Sequence, residues 1–98
     1  MGFVHIDISV LGFTEAEVRS GLPDLRGEFQ QRHWLHRPSA DWDAARSRLI
    51  IGIDYEGHDL KLCERAVLHE VRDCVVSCMQ VASDIHFELD DSRFIADA

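Results

Sequence analysis

The sequence predicts one α+β domain of element order βαββαβ, and three observations carry that expectation. Apolar and polar residues alternate along Phe3–Leu11, Arg48–Tyr55 and Ile85–Leu89, the period of a half-buried strand. Helical spacing of apolar residues runs from Thr14 to about Gln31 and again from Asp59 to about Ala82. A less regular extended stretch, His33–Asp43, lies between the first helix and the second clear strand. This is the split βαβ, or ferredoxin-like, pattern: an antiparallel four-stranded sheet of order 4-1-3-2 with two helices on one face. The expected boundaries are residues 1–90 for the domain and 91–98 for a C-terminal tail.

Each element has its own local reason. In the first strand Val4, Ile6, Ile8 and Val10 share one face, while His5, Asp7 and Ser9 share the other. Gly12 ends it. Thr14-Glu15-Ala16-Glu17 reads as a capping box, each side chain satisfying an orphan amide of the other's end. Val18, Leu22, Leu25 and Phe29 follow at helical spacing. Pro23 lacks an amide proton and disfavours helix at Leu22, so a break is expected near Gly21–Pro23. In the next stretch Pro38 demotes the strand to an edge. Trp34 and Trp42 share parity there, which makes Trp34 a core anchor. Asp43–Ser47 suits a hairpin connection. Ile on both faces of Arg48–Tyr55 suits a central strand, and Asp59 suits the cap of the second helix. Ile85, Phe87 and Leu89 face inward on the last strand; His86, Glu88 and Asp90 face outward.

Composition excludes several functions. Eighteen acidic residues against ten Lys and Arg give a net charge of −8. That charge disfavours nucleic acid, whose binding depends on neutralising phosphates. It equally disfavours an anionic membrane surface. No apolar run approaches the ~20 residues of a bilayer span, and the first residues lack a signal-peptide pattern. Three cysteines, an odd number without paired spacing, suit a reduced cytoplasmic protein. Cys63, Cys74 and Cys78 fall on the apolar stripe of the second helix and read as core.

Two polar clusters could carry chemistry. The outward residues of the first and last strands, adjacent in the expected order, include His5, Asp7, His86 and Glu88. Two imidazoles and two carboxylates are ligands for a divalent first-row metal, and carboxylate neighbours raise a histidine's pKa. His33 and His36 point to opposite faces of an extended chain and do not chelate together. The turn Asp54–Asp59 carries three carboxylates without calcium-loop spacing and reads as solvated. There is no phosphate loop, nucleophile elbow, zinc-peptidase motif or iron–sulfur cysteine pattern.

The order and length of the elements resembles those of small ferredoxin-like regulatory domains, such as ACT domains, and of dimeric α/β-barrel proteins. No family motif accompanies that likeness. Without a catalytic signature, the expectation is a non-catalytic binding or assembly module without a cofactor. It would self-associate as a homodimer through its open sheet face, with Leu11, Leu35 and Ile50 supplying apolar area, and could take a protein or small-molecule ligand. The alternative is a metal protein using His5, Asp7, His86 and Glu88. A third reading is a small enzyme with His5 or His86 as acid–base group.

Overall fold

The computed structural model describes residues 2–79 and 84–95. In chain order the elements are β1 (Phe3–Leu11), α1 (Glu15–Gln31), β2 (Leu35–Asp43), β3 (Arg48–Glu56), α2 (Leu60–Cys78) and β4 (His86–Ile95). The strands form one antiparallel sheet of order β2-β3-β1-β4. This is the expected ferredoxin-like order seen from its other edge.

The core lies between the sheet and the helices. Val4, Ile6, Ile8 and Val10 of β1 and Leu49, Ile51 and Ile53 of β3 are fully buried. They meet Val18, Leu25 and Phe29 of α1 and Val67, Val71, Cys74 and Val75 of α2. Burying each large aliphatic side chain contributes roughly 1.5–3 kcal/mol, so the alternation along β1 fixes which way the sheet faces. Thr14 and Glu17 close the expected capping box, with Glu17 accepting from the Thr14 amide at 2.8 Å and Thr14 from the Glu17 amide at 3.2 Å. Asp59 caps α2 by accepting from the Leu62 amide.

Three expectations need correction. First, α1 is continuous through Pro23. Pro23 and Arg19, the residue whose carbonyl loses its partner, are both exposed, so water can solvate that carbonyl. The apolar stripe on either side holds the helix together. Gly21 is buried rather than a breakpoint: a Cβ there would stand 2.8 Å from Cγ of Met79, so its missing side chain lets α1 and the end of α2 close together.

Second, Trp34 is not a core anchor. It precedes β2 and is 47% exposed. Leu35, expected on the open face, is buried opposite Tyr55. Trp42 packs against the core. The parity argument fails because β2 bulges between His36 and Ser39. Arg37 and Pro38 form the bulge, and Arg37 adopts a left-handed backbone with φ 46°.

Third, β4 runs on to Ile95, so residues 91–95 belong to the sheet and the domain does not stop at 90. A bulge at Asp90 shifts the register between Ile8, opposite Leu89, and Asp7, opposite Asp91. Positions 96–98 of the expected tail lie outside the described residues, as do positions 80–82 of the expected second helix.

The cysteines are free; Cys63 and Cys74 are buried and Cys78 is half-buried. Burial pushes the Cys74 thiol up to about 11 and raises Cys63 and Cys78 as well, which leaves them little thiolate. Among the described residues, no helix is long and apolar enough to cross a membrane.

Candidate functional site

The face of the sheet turned away from the helices is built by the polar parity of β1. Register sets what each residue meets. His5 lies opposite Asp54 of β3 and Asp7 opposite Gly52. On the far side of β3, His36 lies opposite Asp54 and Ser39 opposite Gly52. On the other side of β1, Arg93 of β4 lies opposite His5. Polar residues of all four strands therefore share two adjacent rows.

His5 is held at both ring nitrogens. Nδ1 lies 2.7 Å from Oδ1 of Asp54, and Nε2 lies 2.9 Å from Oδ1 of Asp7. A carboxylate only accepts, so both contacts are hydrogen bonds only when both ring nitrogens carry a proton. The arrangement therefore describes an imidazolium. Burial opposes that charge, but the hydrogen bonds and charges of Asp54 and Asp7 outweigh it and raise His5 above its ordinary 6.5.

The network continues outward from both carboxylates. Oδ2 of the buried Asp54 forms an ion pair with Nε of Arg37 at 2.7 Å. Oδ2 of Asp7 lies 3.9 Å from Nη1 of Arg93, which also donates to Asp91. Cations and carboxylates thus alternate across the sheet as Arg37, Asp54, His5, Asp7, Arg93. Gly52 leaves room for this: a Cβ there would stand 3.0 Å from Oγ of Ser39 and 3.2 Å from Oδ1 of Asp7. Phe3 packs edge-on against His36 beside the network, ring centres 5.0 Å apart. Nearby, buried Ser9 donates to Asp90, the bulged residue of β4.

The four residues expected to bind a metal divide into two separate pairs. His5 and Asp7 are joined in the network just described. His86 lies opposite Leu11, six residues along β1 from His5, or about 20 Å at ~3.4 Å per residue. It is largely exposed, and its Nε2 is 3.7 Å from Glu88, which also faces Arg48. Even within the first pair, Asp7 and Asp54 sit on opposite ring nitrogens and do not converge. Among the described residues, no group of three or more His, Cys, Asp or Glu is placed to hold a metal ion.

Sequence reasoning paired His5 with the wrong strand. Asp54 was assigned to a solvated turn, yet it is buried beside His5. The available signal was the strand order, since β1 has β3 on one side as surely as β4 on the other, and Asp54 lies on the polar parity of β3. Arg37 and Arg93 carried no such signal, because each owes its position to a bulge. A cavity of about 550 Å³ lies elsewhere, between α1 and the end of α2. Its lining includes Phe13, Gly21, Met79 and Cys78. The raised thiol there is a poor nucleophile, so the chemistry favours the sheet face over this cavity.

No family model matches the chain, and no curated protein matches it. A solved structure described as "putative antibiotic biosynthesis monooxygenase" from Bordetella bronchiseptica is similar over 90% of this chain and 96% of its own. The two are 21% identical, with a TM-score of 0.49. The open face of this chain is polar at its centre, with Leu35 turned into the core. That corrects the expectation of a non-catalytic module assembling through a part-apolar face, and the separation of His5 from His86, which lies opposite Leu11, corrects its alternative of metal binding by those residues.

Proposed function

We propose that the open sheet face is a small-molecule site in which His5 donates and recovers a proton. The observation that carries this reading is the pair of contacts on one imidazole, 2.7 Å to Asp54 and 2.9 Å to Asp7. The two carboxylates differ in exposure. The Asp54 side chain is 9% exposed and that of Asp7 33%. Asp54 therefore orients the ring and stabilises its charge from below, while Asp7 holds Nε2 from the rim. A ligand oxygen that displaces Asp7 takes the Nε2 proton in its hydrogen bond. The ring then acts as a general acid, an effect worth about 10²–10⁴ in rate where geometry is productive; once the product leaves, Nε2 takes a proton from solvent and Asp7 returns to accept from it.

A small-fragment screen read by amide and imidazole NMR tests this. Bound fragments are expected to shift His5, Gly52 and Asp54 together, and His5→Gln to abolish those shifts while the fold is retained. Fragments that bind only at residues remote from β1 and β3, or none at all, would refute it.

A further inference from the structure

We infer that the ligand of this site is a small aromatic carboxylate and that Arg37 is the residue that selects it. The inference rests on the small-molecule reading above and adds the ligand's chemical class. Three observations lead to it.

The first is what already occupies Nε2 of His5: a carboxylate oxygen, from Asp7, at 2.9 Å. The position accepts that chemistry and geometry. Asp7 also has somewhere to go, since its other oxygen lies 3.9 Å from Arg93. A competing carboxylate can take the imidazolium without leaving Asp7 unpaired.

The second is the charge count around Asp54. One buried carboxylate is shared by two cations, His5 on Oδ1 and Arg37 on Oδ2. With Asp7 moved aside, the trio carries a net single positive charge in a chain that is otherwise strongly acidic. An anion restores neutrality; an amine would add a second uncompensated cation.

The third is Arg37 itself. Its backbone is left-handed, φ 46°, and it precedes Pro38, two demands that an L-residue meets with strain. Strain of this kind persists where the surrounding structure imposes it and clusters at ligand-binding sites. The ion pair with Asp54 is made through Nε, and the side chain is 68% exposed. Its Nη groups remain reachable, and a guanidinium fork matches a carboxylate in two parallel hydrogen bonds. The adjacent Phe3–His36 pair supplies a wall for a flat apolar body.

Benzoate, benzamide and benzylamine serve as probes, titrated against the intact protein with His5 and Gly52 resonances observed. Benzoate is expected to bind about tenfold more tightly than benzamide, the loss of one charge-assisted contact. Arg37→Gln should remove that preference, and Arg37→Lys should restore only part of it because the fork is lost. Asp7→Ser, which deletes the internal competitor, should tighten benzoate. Benzamide or benzylamine shifting His5 as strongly as benzoate would overturn the carboxylate assignment while leaving the small-molecule site standing. Failure of all three to shift His5 would overturn this inference, and fragments of other chemistry that do shift it would keep the two failures apart. Unchanged selectivity in Arg37→Gln would remove Arg37 from the role.

Discussion

The two faces of β1 make the sharpest contrast in the molecule. Val4, Ile6, Ile8 and Val10 are all fully buried under the helices, and each does the same thing. His5, Asp7 and Ser9, interleaved with them, each do something different. Ser9 is buried and holds the β4 bulge, Asp7 bridges toward Arg93, and His5 joins two carboxylates. On the apolar face residue type alone determines the outcome, because hydrophobic burial has no direction. On the polar face the outcome depends on which oxygen meets which nitrogen, and neighbouring strands supply those atoms.

The contrast can be tested by breaking each face in turn. Ile6→Ala, on the packed side, is expected to have the largest effect, about 2–5 kcal/mol from lost burial and the cavity left behind. Urea denaturation at neutral pH measures it. Asp54→Asn, on the polar side, leaves His5 and Arg37 without their shared carboxylate. A loss of roughly 1.5–3 kcal/mol is expected, typical of hydrogen bonds to charged groups. The same variant should lower the pKa of the His5 ring, followed by NMR titration.

Gly52→Ala crowds Ser39 and Asp7 without touching the core. About 1 kcal/mol of destabilisation is expected from overpacking, together with a weaker Asp7–His5 contact seen as a lowered His5 pKa. An unchanged His5 titration in that variant would show that Asp7 does not depend on the space at Gly52.

Proton linkage gives a smaller effect, with a definite sign. His5 binds its proton more tightly in the folded chain than its ordinary 6.5. The stability contributed by the imidazolium, facing Asp54 and Asp7 with Arg37 and Arg93 beyond them, is fully present below that value. It is lost as pH rises through the higher folded pKa. The urea midpoint should therefore fall as pH rises above 6.5, and His5→Gln should flatten that part of the curve. Trp34→Ala is expected to be smallest of all, within about 0.5 kcal/mol, as for other exposed positions away from special features. A larger loss would show that Trp34 packs somewhere.

The fold was legible because its signals are periodic. Alternation on β1 and β3, the Thr14–Glu17 box and the Asp59 cap each act within a few residues. The misread elements involve interactions that cross the chain. Pro23 was expected to break α1, but packing on Val18, Leu25 and Phe29 overrides the local preference. Trp34 was assigned to the core by a parity that the one extra residue in the β2 bulge cancels. His5 was recognised as functional from its type, whereas its partners Asp54 and Arg37 follow from register, which periodicity does not encode. Asp7 alone was picked out together with a true neighbour, since it shares both strand and face with His5.

The close approach at Gly21 reaches into how this chain can change over time. A hydrogen atom is all that fits between that backbone and Met79. Any larger residue at position 21 needs a smaller one at position 79, or the two helices move apart and take Leu25 and Val75 with them. The two positions, 58 apart in sequence, are bound to drift as a pair, and related chains should carry the trace as one small and one long residue exchanged together.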